Sequence, residues 1–239
     1  MVLRDLAAAT DLTAAQAHAY LASFRRIELV EQNAATGQYS LGPFAMRLGM
    51  TRVGSYPPLA AASEAASTLS RDLGFMVCVV VWGPQAPTVI QVHDGIYPLN
   101  LNIHEGTLFS VTGTASGRLF GALLKSEAVE KRIESEFDGT VVKQGIGRPP
   151  SRGELRSLFA EIRANGYSTS IGTPLPGVNA ISAPVFGEDG LLSLAITVIA
   201  SEDMLPLTSG DPARKALLAV TTRLSQSAKR DSSGRGAAA

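Results

Sequence analysis

Residues 166–200, GYSTSIGTPLPGVNAISAPVFGEDGLLSLAITVIA, decide the fold that we expect for this chain. Residues 166–171 alternate as an extended segment does, and a run rich in glycine and proline at 172–177 then interrupts them. Residues 178–186 and 191–199 have the length and the β-branched content of strands, and Gly-Glu-Asp-Gly between them is typical of a hairpin turn. The pattern predicts a sheet with a long loop beside it, which either closes over a pocket or only connects two strands.

Further strands are predicted nearer the start of the chain, at residues 75–82, 88–92 and 97–103. Residues 75–82 are apolar, so they predict a buried strand that is too short to cross a bilayer, with Cys78 packed in the core. Pro184 has no N–H to donate to a neighbouring strand, so its own strand is expected at a sheet edge or at a bulge.

Helices are expected to flank this sheet. Residues 130–136 carry charges at i,i+4 spacing, which is typical of a solvated helix face. Residues 229–239 are small and polar, which predicts a disordered tail.

The predicted strands and helices together indicate an α+β or α/β fold class, with a mostly antiparallel, curved sheet. The predicted helices of this region cover residues 59–73, 113–125, 126–136, 151–165 and 217–227.

Composition limits the classes of function. The 239 residues include 21 basic and 21 acidic side chains, so no global field attracts the chain to nucleic acid or to a membrane. A single cysteine and the lack of an apolar leader lead us to expect a cytoplasmic protein with no membrane partner. The three histidines are scattered, so we expect no metal site, and nothing in the sequence points to a cofactor.

The first forty residues follow the order helix, turn, helix and small hairpin, which is that of a winged helix-turn-helix. Thr13 and Gln16 have the spacing of a capping box at the start of the second helix. The face of that helix expected to pack inward carries Ala17, Tyr20, Leu21 and Phe24.

Three stretches of the chain resemble one family. Residues 3–49, with a wing that ends in Tyr-x-Leu-Gly-Pro, resemble the DNA-binding domain of the IclR-type bacterial transcription regulators. Residues 106–118 resemble its segment leading into a Thr-Ala-x-Gly-Lys helix, and residues 176–185 resemble its Pro-Gly-Val-x-x-Ile-Ala-Ala-Pro-Val strand. The resemblance implies a winged helix-turn-helix at 1–42, a linker helix at 43–56 and an effector-binding domain at 57–228.

The resemblance also implies operator DNA as a partner, a small-molecule effector, and assembly into dimers or tetramers. The family carries another helix before the first one predicted here, so the core of the winged domain is expected to be poorly buried. Family members usually have Lys, Ser and Arg where this chain has Ala14, Ala15 and Ala19, and residues 1–55 hold only five arginines against four acids. The residues expected to contact DNA are Thr13, Gln16, His18, Arg25 and Arg26.

A glycine-rich stretch opens the helix predicted at 113–125. The free N–H groups of its first turn either hold an anion or are satisfied by a threonine N-cap, Thr112 or Thr114, and the residues alone leave both open. The resemblance implies that this helix start faces the effector pocket. The residues it implies are Leu101, Phe109, Thr112, Gly113, Thr114, Ala115, Ser116, Ser170, Asn179 and Ala180.

The function expected from these patterns is a ligand-responsive, DNA-binding transcription regulator whose effector is a small organic molecule, a carboxylic acid. One alternative is a sensor that has lost DNA binding. Another is an enzyme using the same pocket, although the serine of residues 113–117 lies one position late for a nucleophile elbow and no catalytic residue is predicted.

Overall fold

The structure is a computed structural model that describes residues 1–54, 57–140, 150–208 and 210–235, with backbone alone at 52–54, 57 and 229–235. The chain divides into two compact units, Met1–Pro57 and Pro58–Ala239. No helix in the described ranges is long and apolar enough to cross a membrane.

The first unit contains a helix-turn-helix followed by a two-stranded antiparallel hairpin. Thr13 caps the second helix through the predicted capping box with Gln16. Tyr20 and Phe24 are 57% and 39% exposed, so only part of the predicted inward face is covered. The elements are α1 (Leu3–Ala9), α2 (Ala14–Arg26), β1 (Val30–Gln32), β2 (Tyr39–Leu41) and α3 (Pro43–Gly54).

The second unit is built on a five-stranded sheet in which every neighbouring pair is antiparallel. Its helices are α4 (Pro57–Leu73), α5 (Ala115–Leu123), α6 (Glu127–Phe137), α7 (Arg152–Asn165) and α8 (Pro212–Arg235). Its strands, in spatial order, are β4 (Pro87–His93), β3 (Met76–Trp82), β7 (Leu192–Ser201), β6 (Val178–Phe186) and β5 (Ser168–Ile171).

Both faces of the central strands are largely buried, which explains why these strands are mostly apolar, and their polar residues Asn179, Ser182 and Thr197 are themselves buried. Cys78, Val80 and Ile199 pack in one core with Phe120 of α5 and Phe159 of α7. The alternate side chains of the same strands are also buried, and α8 packs against β6 and β7.

The strand predicted at residues 97–103 is wrong, because this segment forms neither a helix nor a strand. Pro98 has no N–H to donate, and the N–H of Leu101 bonds locally to the carbonyl of Leu99 at 2.8 Å. The segment is therefore an irregular connection, and its side chains are not bound to the alternation of a sheet.

Pro184 lies in a strand that is second from the sheet edge, not in an edge strand. The β5–β6 ladder ends at Ser182, so beyond that residue β6 has a neighbour on one side only, where Pro184 pairs with Ala195. A register shift follows between Val185 and Phe186. The short length of β5 is thus what accommodates the proline.

The ends of two elements differ from expectation. Helix α8 continues to Arg235, so residues 229–235 of the tail predicted at 229–239 are helical, and residues 236–239 lie outside the described residues. The linker helix predicted at 43–56 corresponds to α3, which ends at Gly54, and residues 55–56 lie outside the described residues.

Candidate functional site

A cavity of about 430 Å³ lies between the start of α5, the irregular segment near Leu101 and the strands β5, β6 and β7. The side chains on its wall are mostly apolar, and no described lining residue carries a charge. The apolar wall includes Leu101, Phe109, Leu175, Val178 and Ile199.

The start of α5 supplies the polar end of this cavity. Thr114 is the N-cap, and its hydroxyl accepts a hydrogen bond from the N–H of Gly117 at 3.0 Å. The N–H groups of Ala115 and Ser116 have no acceptor within the described chain, although both residues are 1% exposed. Two buried donors at the positive end of a helix therefore remain for a ligand.

A chain of buried hydroxyls continues from α5 into the sheet. The hydroxyls of Ser116 and Thr197 lie 2.8 Å apart, and Thr197 in turn donates to Ser182 at 2.8 Å. Ser170 of β5 also lies on the cavity wall, and it pairs in register with Ala180. These hydroxyls can accept as well as donate, so they can orient the polar part of a ligand.

Glu136 of α6 holds the loop before α5 in place. Its carboxylate, which is fully buried, accepts bonds from the N–H groups of Val111 and Thr112 at 2.8 and 2.9 Å, and from the hydroxyls of Ser110 and Thr112. Arg132 adds an ion pair at 2.9 Å. Burial alone would raise the pKa of Glu136, but the hydrogen bonds from Thr112, Ser110 and Val111 outweigh it and hold the pKa below its ordinary value.

Sequence reasoning missed Glu136, because its helix was expected to present a solvated face at 130–136. Glu130 and Lys131 of that helix are exposed, as expected, but Glu136 is not. Its burial depends on donors from residues 110–112, which sequence spacing within the helix cannot reveal.

Seven of the ten residues predicted for the pocket lie on the cavity wall: Leu101, Phe109, Thr114, Ala115, Ser116, Ser170 and Ala180. Whether they contact an effector stays a prediction.

Thr112, Gly113 and Asn179 do not lie on that wall. Thr112 is bonded to Glu136, and the N–H of Gly113 donates to the hydroxyl of Ser110 at 2.9 Å. Asn179 points to the other face of β6, where its amide donates to Leu205 and accepts from the N–H of Gly172. Their contacts make them supports of the backbone around the cavity.

The cavity also has wall residues that sequence reasoning did not select, and strand alternation was the available signal. Val178 precedes Ala180 by two positions on β6, so both share a face. Ile199 pairs with Ala180 across the sheet, and Thr197 pairs with Ser182.

In the first unit, the residues predicted to contact DNA are exposed on or near α2, but three of them, Thr13, Gln16 and Arg25, already have partners. The amide oxygen of Gln16 accepts from the N–H and the hydroxyl of Thr13 at 3.0 and 2.8 Å. Arg25 donates to Gln32 of the hairpin at 3.3 Å. His18 and Arg26 are exposed and have no partner among the described residues.

Metal binding and thiol chemistry have little support in the described residues. They contain no group of three His, Cys, Asp or Glu side chains that could hold a metal ion. Burial raises the pKa of the Cys78 thiol to about 12, so this cysteine is not a thiolate near neutral pH. Cys78 is therefore a core residue.

Comparison with known proteins places this geometry in context. The chain is 28% identical over 188 residues to the glycerol operon regulatory protein of Streptomyces coelicolor, which covers 77% of this chain and 70% of that protein. It is similar to the crystal structure of Pseudomonas aeruginosa HmgR, with 28% identity, a TM-score of 0.65 and coverage of 96% of this chain and 90% of that one.

A second solved structure, an IclR transcriptional regulator from Silicibacter sp. TM1040, shares the fold more fully. Its TM-score is 0.82 over 96% of this chain and 89% of that one, at 21% sequence identity. Residues 53–226 match the family model described as bacterial transcriptional regulator IclR C-terminal. Because that match spans most of the second unit and more than half of the sequence, the chain belongs to the IclR family of bacterial transcription regulators.

Proposed function

We propose that this chain is a ligand-responsive transcription regulator whose second unit binds a small carboxylic acid in the cavity at the start of α5. The observation that carries the proposal is the pair of buried, unpartnered N–H groups of Ala115 and Ser116 at the wall of a cavity whose described lining carries no charge. A carboxylate would accept from both donors and meet the positive end of the helix dipole.

The apolar wall limits the rest of the ligand. Phe109, Leu175 and Ile199 offer contacts to a hydrocarbon body, and no described lining residue supplies a charge for a second ionic group. We therefore expect monocarboxylates with an apolar body to bind more tightly than dicarboxylates of the same length, since a second carboxylate would lose its hydration without a partner.

A thermal-shift screen of the whole chain against such acids tests the ligand class, because a compound that binds only the folded state raises the melting temperature. Ala115→Pro is the informative variant, since proline is well tolerated at the first helical position and removes one of the two donors. Thr114 already has the extended backbone, with φ −110° and ψ 157°, that the residue before proline requires.

Two controls interpret that result. Ser116→Ala keeps both N–H groups and removes only a hydroxyl. Glu127→Pro places proline at the first position of α6, away from the cavity, and reports the cost of the substitution itself. Acid binding that survives Ala115→Pro unchanged would exclude the start of α5 as the carboxylate site.

We further propose that the first unit binds operator DNA and that the chain acts as a homodimer or tetramer in the cytoplasm. The support is family membership together with the exposed positions of His18 and Arg26 on α2. Fluorescence anisotropy with the promoter of the chain's own gene, measured against a scrambled duplex at several salt concentrations, tests DNA binding. Arg26→Gln is expected to weaken binding to both duplexes and to reduce the salt dependence by about one ion per protomer.

A second candidate, a small-molecule sensor without DNA binding, is favoured by the surface of α2. Ala14, Ala15 and Ala19 are exposed there and offer no polar group, and the amide oxygen of Gln16 is engaged by Thr13. Equal affinity for promoter and scrambled DNA, combined with saturable acid binding, would favour the sensor over the regulator.

A further inference from the structure

Arg118 is a buried cation without a counter-ion among the described residues. It lies one turn of α5 beyond the 430 Å³ cavity at the start of that helix, which we call the effector cavity. The exposed fraction of the residue is 8%. The guanidinium donates only to carbonyl groups, to Thr112 at 2.9 Å through Nε and to Thr169 and Gly113 at 3.4 and 3.5 Å through its terminal nitrogens. No carboxylate in the described part of the chain lies within ion-pair distance of it.

A buried arginine in this state is expensive for the fold. Removing a charge from water is unfavourable unless a partner of opposite charge replaces the water. Burial accordingly lowers the pKa of Arg118. Two of the three bonds to carbonyl groups are long, so they only partly replace the lost hydration.

A cavity of about 140 Å³ adjoins Arg118 and has walls of mixed polar and apolar residues. Ser168 of β5 lines it, and the Ser168 hydroxyl is buried and makes no hydrogen bond, with the residue 2% exposed. Arg214 of α8 also lines it and donates to the Tyr167 hydroxyl at 3.1 Å. Arg118 and Ser168, both more than nine-tenths buried, thus line the same space, and the Ser168 hydroxyl has no partner among the described residues.

The charges around this cavity favour an anion. Arg118 and Arg214 are its two cations, and Glu161, which is exposed, is the one acidic residue among its described lining residues. The cavity is several times larger than the volume of about 30 Å³ that one water molecule occupies in the liquid. A more open cleft of about 500 Å³ shares Arg118, Leu158 and Glu161 with this cavity.

We propose that the cavity between Arg118, Ser168 and Arg214 is a second ligand site, which binds a small oxyanion such as a phosphate or carboxylate group. None of the residues on its wall lines the effector cavity, so the two sites are separate in the fold. The oxyanion would pair with Arg118, accept from the Ser168 hydroxyl and leave the carbonyl contacts of the guanidinium in place.

The test is a titration of the full chain with inorganic phosphate, followed by melting temperature and by calorimetry in a buffer without phosphate. Sodium chloride at matched ionic strength controls for general screening, and acetate tests a carboxylate in place of a phosphate. We expect saturable stabilisation by phosphate or acetate and none by chloride; a chloride-like response to both oxyanions overturns the proposal.

Substitutions of the lining residues test which side chains bind the anion. Arg118→Met should abolish binding, and because it could also impair folding, Ser168→Ala is the second variant. Ser168→Ala removes a hydroxyl that has no partner, so it should not lower the melting temperature of the anion-free protein. If the hydroxyl contacts the anion, the same substitution should weaken phosphate binding by about tenfold. Glu161→Gln should tighten binding, because it removes the only negative charge among the described lining residues.

Two further variants separate this site from other anion sites. Arg163→Gln, on α7, removes a cation that lines a different cavity and should leave phosphate binding unchanged. Ala115→Pro disrupts only the start of α5. Phosphate binding that is lost in Ala115→Pro but retained in Ser168→Ala would assign the ion to the effector cavity and overturn the proposal without touching the proposed function.

Discussion

The carboxylate oxygen Oε2 of Glu136 accepts two hydrogen bonds from Thr112, one from the backbone N–H at 2.9 Å and one from the hydroxyl at 2.8 Å. Thr112 lies two residues before the N-cap of α5, so this contact joins α6 to the loop that positions the candidate ligand site. The ion pair with Arg132 completes a buried charge with all its lone pairs in use.

Glu136→Gln should destabilise the fold by about 3 kcal/mol or more, because the amide replaces one acceptor oxygen with donors and leaves Arg132 without its counter-ion. Chemical denaturation of the purified chain measures this. Glu130→Gln is the matched control, since Glu130 is exposed on the same helix and should change the free energy of unfolding by less than about 0.5 kcal/mol. Equal effects of the two variants would mean that the Glu136 network contributes little.

The same carboxylate predicts a pH dependence. The pKa of Glu136 is lower in the folded chain than its ordinary value of 4.5, so the unfolded chain binds more protons between the two values. The stability from Glu136 is therefore present above pH 4.5 and is lost as the pH falls through the folded pKa.

Unfolding free energies of the wild type and Glu136→Gln, measured from neutral pH into acid, isolate this contribution from those of other carboxylates. The difference between the two proteins should be constant near neutrality and shrink below pH 4.5. A difference that grows in acid would contradict the assigned direction.

Sequence patterns predicted the parts of this fold that depend on local periodicity. The strands predicted at 178–186 and 191–199 correspond to β6 and β7, and the helix predicted at 151–165 corresponds to α7. These elements needed no knowledge of distant contacts.

The parts that sequence reasoning missed depend on contacts between distant residues. Asn179 looked like a ligand contact, but its amide bridges Gly172 and Leu205 on the other face of β6. Glu136 looked solvated because its donors lie 24 to 26 residues away. In both cases a polar side chain is buried because a particular loop reaches it, and that approach is not encoded in spacing.

Gly117 and Gly153 form a matched pair for testing helix packing. A Cβ on Gly117 would collide with the carbonyl oxygen of Ser110, whereas a Cβ on Gly153 would have no neighbour closer than 3.9 Å. Gly117→Ala should destabilise by several kcal/mol, on the order of other overpacked cores. Gly153→Ala should stabilise by about 0.5 to 1 kcal/mol, because alanine is the better helix former.

Melting temperatures of the two glycine variants, compared with that of the wild type, measure the predicted loss and gain of stability. Gly117→Ala should also weaken acid binding, since the collision displaces the first turn of α5 against the Ser110 backbone. A melting temperature of Gly117→Ala equal to that of Gly153→Ala would show that the contact between α5 and Ser110 is loose.

Gln16 has two candidate roles, in the capping box of α2 and in reading a base edge, and a pair of substitutions separates them. Its amide oxygen accepts from the N–H and the hydroxyl of Thr13 at 3.0 and 2.8 Å, which uses both lone pairs and leaves the amide nitrogen for DNA. Gln16→Glu keeps the acceptor and adds a charge that suits a helix start, so it should preserve or raise the melting temperature. Gln16→Ala removes the box and should cost about 1 kcal/mol.

If Gln16 also contacts a base, both substitutions should reduce promoter affinity by about tenfold or more, in anisotropy titrations at fixed salt. Ala15→Glu is the control for simple repulsion, because it adds the same charge at the neighbouring exposed position without touching the capping box. A promoter affinity that falls in Gln16→Glu but not in Ala15→Glu assigns a base contact to Gln16. Equal losses in the two variants would instead limit Gln16 to capping, since charge alone would then account for the effect.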